Sequence, residues 1–241
     1  MHPAAIAFQD PARLHARCEI AGVRRRTLQP GYETTVAVPD EVWEPLPDGH
    51  PERFAPSIFT RDSGLVELFR LPDTVFDTPT ATALVEMLGD AFPVTLGWST
   101  DQPGLASTHT EPDTGLHLGL HVDNHQALPY PARETARRRL CVNLGPGSRY
   151  LLLADTDIKS ICRTVHHNSY ETHIPTTADL RMYVTLRRPV RVLRIRVDPG
   201  EGWLAPTAVL PYDESTSGQS LPSVTASWLG HWHRGLFPPL I

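Results

Sequence analysis

Leu116-His117-Leu118-Gly119-Leu120-His121-Val122-Asp123 alternates strictly between apolar and polar positions. Side chains in an extended strand repeat every two residues, so Leu116, Leu118, Leu120 and Val122 share one face. His117, Gly119, His121 and Asp123 share the other. The pattern reads as β structure and sets an imidazole and a carboxylate side by side on one strand. His121 and Asp123 together supply two corners of the 2-His-1-carboxylate arrangement that holds non-heme Fe(II) and leaves coordination positions open. His117 lies on the same face and is expected to line the substrate pocket. On a helix, His117, His121 and His125 would instead sit four apart and could chelate zinc. Gly115, Gly119 and the alternating leucines favour the strand.

Outward from this octet the chain reads as short strands between Pro/Gly turns. Downstream candidates are Leu140–Leu144, Tyr150–Ala154, Arg191–Val197, Trp203–Ala205, Val209–Tyr212 and Val224–Leu229, with turns at Gly145-Pro146-Gly147-Ser148 and 198–202. Residues 155–189 read as partly helical. Upstream, Thr108-His109-Thr110-Glu111 closes a polar loop at the pocket mouth, and Pro93–Trp98 reads as a strand. Residues 79–92 read as a helix, because Ala83, Leu84, Met87 and Leu88 recur at helical spacing. Pro11–Ile20 reads as a helix capped by Asp10 with Pro11 at its first position, and Thr34–Val38 as a strand. The expectation is one domain over 1–241, mainly β with peripheral helices. Residues 1–94 would form an N-terminal helical elaboration and 95–233 a jelly-roll core of cupin type.

Composition narrows the function classes. The 241 residues carry a net charge of -5, with 40% hydrophobic and 20% charged residues and 24 prolines. A mildly acidic chain argues against nucleic acid as partner, and Arg24-Arg25-Arg26 and Arg137-Arg138-Arg139 read as solvated or salt-bridged faces. Three widely spaced cysteines, Cys18, Cys141 and Cys162, fit neither a disulfide framework nor a metal-ligand spacing, and point to a reducing, cytoplasmic setting. His166-His167 reads as a polar surface or helix pair. The N-terminal residues do not read as a secretory leader, and the sequence shows no membrane-length apolar run, phosphate loop or nucleophile elbow.

Three stretches carry a family resemblance: Gly119-Leu120-His121-Val122-Asp123-Asn124, then Arg139-Leu140-Cys141-Val142-Asn143-Leu144-Gly145, then Pro199-Gly200-Glu201-Gly202-Trp203-Leu204-Ala205-Pro206-Thr207. Over residues 95–232 the chain resembles the double-stranded β-helix oxygenases, the non-heme iron, 2-oxoglutarate-dependent family. The resemblance implies that His121 and Asp123 are catalytic iron ligands and that the third ligand is a His after the Trp203 strand. Tyr212 occupies that slot here. Three occupants fit the third corner: the Tyr212 phenolate, a water held by Tyr212, or a His from His166, His167, His173, His231 or His233.

The family also binds the distal carboxylate of 2-oxoglutarate with a basic side chain, often an Arg on the last core strand. Val224–Leu229 contains none, which leaves Arg149 and Arg139 as cofactor-binding candidates. A guanidinium suits that role because it grips carboxylate through two parallel hydrogen bonds. Trp203, an aromatic of the core or the pocket rim, joins His117 on the substrate-facing list. The resemblance thus implies an Fe(II)-dependent dioxygenase, an oxidoreductase that uses O2 and 2-oxoglutarate to hydroxylate an amino acid or similar small metabolite. The missing third His and strand-end Arg support an alternative, a metal-free cupin-like binding protein. A metal-dependent hydrolase or lyase on the same barrel is the other.

Overall fold

The computed structural model describes residues 4–72 and 93–241. The helix expected at 79–92 lies outside them. The described chain is mainly β: β1 (Ala5–Ala7), β2 (Cys18–Thr27), β3 (Thr35–Pro39), β4 (Glu44–Pro45), β5 (Leu65–Arg70), β6 (Val94–Asp101), β7 (Arg138–Pro146), β8 (Arg149–Ala154), β9 (Arg191–Val197), β10 (Glu201–Ala205), β11 (Tyr212–Ser215) and β12 (Ser223–Gly230). Its α-helices are α1 (Pro11–Arg17), α2 (Ile158–His166) and α3 (Thr177–Thr185).

Two sheets result. One runs β1-β5-β10-β7-β12-β6, the other β11-β8-β9-β2-β3 with β4 beside β2. The pairings are antiparallel except β1 with β5. Strand periodicity sorts side chains into three apolar layers. Cys141, Leu151, Leu153, Leu193, Ile195, Trp203 and Tyr212 meet in a core shared by both sheets. Their strand neighbours point away: Leu152, Ala154 and Val192 pack with Ile158, Ile161 and Leu180 of the helices, while Leu140, Val142 and Leu204 pack with Trp228 and Trp232.

Several expectations need correction. The described part of residues 1–94 is not a helical elaboration: it holds β1 to β5 and the start of β6, and β2 and β5 sit inside the two sheets. Asp10 does cap α1, accepting from the Ala12 N–H at 2.9 Å, but the helix ends at Arg17 because Cys18–Ile20 pair with β9. The strand expected at Val209–Tyr212 begins only at Tyr212, since Pro206–Leu210 forms a turn closed by Val209 and Leu210 N–H bonds to the Pro206 carbonyl.

The opening octet is not one continuous strand either. It makes isolated bridges, His117 with Tyr32 and Thr110, and His121 with Tyr212. Gly119 breaks the run at φ +65, where the backbone closes on β3, and a Cβ there would meet the Ala37 carbonyl at 2.6 Å. Past that break the alternation holds. Leu120 and Val122 join the helix-side apolar layer, and His121 and Asp123 face Tyr212.

Candidate metal centre

His121, Asp123 and Tyr212 do come together, but the Asp123 and Tyr212 oxygens are already engaged. Arg139 grips Asp123 bidentately, with Nε and an Nη each donating at 2.9 Å. The Thr207 hydroxyl donates to Asp123 Oδ2 at 2.6 Å and the Tyr212 hydroxyl to Oδ1 at 3.1 Å. All four side chains are buried. Burial alone would raise the Asp123 carboxyl, yet the Arg139 charge beside it holds it well below the usual carboxylate range. Burial pushes the Tyr212 phenol well above its ordinary value, so it stays a neutral donor. A guanidinium therefore stands against Asp123 where the sequence reading sets a metal ion.

A different set brings three ligand atoms together, although His109 Nε2 also lies 3.7 Å from Glu214 Oε2. His109, His121 and Asp213 each present one, all within 4.8 Å of one another. His109 comes from the loop that pairs with β11 through the Thr108 N–H to Glu214 carbonyl bond. Its Nδ1 lies 3.4 Å from Asp213 Oδ1, and its ring stands edge-on to His121 at 5.0 Å. The Gly119 carbonyl lies 2.8 Å from His121 Nδ1. A carbonyl only accepts, so Nδ1 carries the hydrogen and Nε2 keeps its lone pair. This is how a metal-ligating histidine is oriented. Burial pushes the His121 imidazolium down to about 4, which leaves the ring neutral at pH 7. Asp213 is 1% exposed; Oδ1 accepts the Glu214 N–H at 2.8 Å, and Oδ2 has no hydrogen-bond partner. A buried unpartnered carboxylate oxygen beside two imidazoles is costly unless a cation completes it.

Asp213 also borders a cavity of about 320 Å³ walled by Arg24, Arg26, Tyr32, Trp43, Ser107 and Arg194 among others. Besides Asp213 Oδ2, the buried Arg26 Nε, Gln29 Oε1 and Ser107 Oγ at this cavity lack partners. Convergent unsatisfied polar atoms are what a small polar ligand would complete. A larger cavity, about 590 Å³ between Arg53, Phe59, Lys159 and Arg163, contains none of the ligand set.

The remaining expected site residues have other tasks. Arg149 is fully buried and braces Asp101 at 3.0 Å, Glu214 at 3.0 Å and the Thr108 hydroxyl at 3.2 Å. Burial alone would raise Glu214, but the Arg149 charge above all keeps it below its ordinary value. With Arg139 spent on Asp123 and Arg149 on these carboxylates, 2-oxoglutarate fits neither proposed anchor. Trp203 is a correction too: it is 1% exposed in the shared core and donates from Nε1 to Glu214 at 3.1 Å, away from the cavity. His117 packs its ring 5.2 Å from Tyr32, which does line the cavity.

No family model matches the chain, and no curated protein or solved structure does. No helix among the described residues is long and apolar enough to cross a membrane. Asp213 and Arg194 were not singled out by the sequence, and Arg24 and Arg26 were read only as a solvated or salt-bridged face. His109 was, within the quartet at the pocket mouth. Asp213 adjoins Tyr212 in the slot where a third ligand was sought, which is the one local signal for it.

Proposed function

We propose that the chain is a mononuclear non-heme iron oxygenase of jelly-roll, cupin-like architecture, holding Fe(II) through His109, His121 and Asp213. Two imidazoles and one carboxylate converging from one side are the donor set this chemistry uses. The observation that carries the reading is the buried Asp213 carboxylate, whose Oδ2 has no partner and which offers an oxygen within 4.8 Å of ligand atoms of the neutral His121 and of His109. Bound Fe(II) would supply the activation of O2.

The chain's own residues supply the rest. The Gly119 carbonyl fixes the His121 ring so that Nε2 faces the centre. Arg24 and Arg26 at the cavity wall pair with Glu41 and Arg194 pairs with Glu19, but the buried Arg26 Nε has no partner and suits a small metabolite bearing a carboxylate or other anionic group. Ser107 Oγ and Gln29 Oε1 add polar contacts, and Tyr32 and Trp43 provide aromatic faces. The substrate class is therefore a small anionic or zwitterionic metabolite such as an amino acid, in a cytoplasmic protein.

Anaerobic titration of the purified protein with Fe(II) tests the centre. One bound metal per chain is expected, lost in H109A and D213N. O2 consumption over a panel of small carboxylates then tests the reaction, with succinate release from 2-oxoglutarate as a separate arm. Failure of the folded protein to take up Fe(II), or uptake indifferent to both substitutions, overturns the reading. Fe(II) uptake with no O2 consumption would favour a hydrolase or lyase. The second reading, a metal-free binding protein, is favoured by the Arg139–Asp123 pair, where the protein's own cation neutralises the acid. It predicts binding of small anions without any metal.

A further inference from the structure

A second cluster lies away from this centre and does not depend on it. Cys162 and His166 sit four residues apart on α2, hence on one face of the helix. His173 follows the short turn after α2, and its carbonyl accepts the Tyr130 N–H at 2.9 Å, which fixes it in place. Asp179 lies in the first turn of α3, where Oδ2 accepts the Thr176 N–H at 2.7 Å as part of a capping box.

That leaves Asp179 Oδ1 facing the two rings. His166 Nε2 is 2.6 Å from it and His173 Nε2 3.1 Å, and the ring centroids are 3.8 Å apart. All four residues offer a ligand atom, and these atoms lie within 4.8 Å of one another. Cys162 is fully buried and Asp179 4% exposed, so this is no loose surface group. Tetrahedral zinc, with bonds of about 2.0–2.3 Å, sets its ligand atoms roughly 3.3–3.8 Å apart. An adjustment of about an ångström closes the set.

We propose that Cys162, His166, His173 and Asp179 bind a structural zinc ion that staples α2 to α3. Four protein ligands fill the tetrahedron and leave no open position, so the ion serves structure. On binding, the Cys162 thiol gives up its proton to solvent, and each imidazole ligates through Nε2 as the neutral tautomer with its hydrogen on Nδ1. The staple reaches the first centre indirectly: Thr177 Oγ1, at the start of α3, accepts the N–H of Val122, the residue between His121 and Asp123.

The test is metal content after purification without chelators, followed by replacement with Co(II). We expect one zinc per chain and, with Co(II), a thiolate-to-metal charge-transfer band in the near ultraviolet. The band should vanish in C162S and persist in H121A, because the His109–His121–Asp213 centre contains no sulfur. H173Q, altering a half-exposed side chain, should weaken zinc binding more than about 100-fold, since losing even an outer partner of a ligand costs about 10–100-fold. It carries the same readout should C162S fail to fold by circular dichroism. Folded protein that retains no zinc and shows no band with Co(II) overturns the proposal, as does a band that survives C162S.

Discussion

Replacing Arg139 by Met removes the two charged donors on Asp123 and leaves a carboxylate 8% exposed with two hydroxyl partners and the His125 Nε2 at 3.7 Å. Each of the two charge-assisted bonds, 2.9 Å long, is worth about 1.5–3 kcal/mol. Breaking one side of a buried ion pair costs about 3–5 kcal/mol, mostly through the charge left behind. At about 2–4 °C per kcal/mol for a chain of this size, Tm should fall by about 6–20 °C. Differential scanning calorimetry and urea unfolding measure it. D123N/R139M removes both charges and should recover more than half of the loss, because a neutral buried amide needs no counterion. D123N alone should keep Fe(II) binding, since Asp123 is outside the ligand set. A loss below about 1 kcal/mol in R139M, where the expected range is about 3–5, would refute the energetic argument. Loss of Fe(II) from a folded D123N would return Asp123 to the metal.

Three further outcomes follow from the same geometry. D213N should leave metal-free protein as stable as the parent, or more so by about 1–3 kcal/mol, because it removes a buried unpaired charge; thermal unfolding in a chelator checks this. G119A places a side chain at φ +65 against the Ala37 carbonyl, and should cost at least about 1–2 kcal/mol in urea and weaken metal binding by shifting His121. W203F deletes the Nε1 bond to Glu214 while the Arg149 pair remains, so a loss of about 1–3 kcal/mol is expected in the same assay.

What the sequence makes legible follows from the range of the forces. β7, β8, β9, β10 and β12 were readable because their alternating apolar positions must be sorted between layers whatever their partners are. The start of the helix at Pro11 was legible from its Asp10 cap, but β1 and β2 were missed because they are specified by the strands they join, and nothing local marks Arg24-Arg25-Arg26 as a strand until β3 pairs with it. His121 and Asp123 were correctly set facing one way. Which carboxylate stays free was not legible, because it depends on Arg139 reaching Asp123 and no cation reaching Asp213 Oδ2. Cys162, His166 and His173 were named separately but not as one set, and Asp179 not at all, because the four follow no motif; only the α2–α3 turn assembles them.

Asp213 lines the cavity with the same carboxylate that joins the two imidazoles, and this has a thermodynamic corollary. Before a cation arrives, its charge opposes any anionic guest, by up to about 4 kcal/mol at 4 Å in a medium of intermediate dielectric. Once neutralised, it no longer does. Linkage makes the benefit mutual, so metal and guest should each tighten the other's binding by the same factor. Loading would then be ordered, cation first, and calorimetric titrations run in both sequences would show the heterotropic coupling as equal free-energy increments.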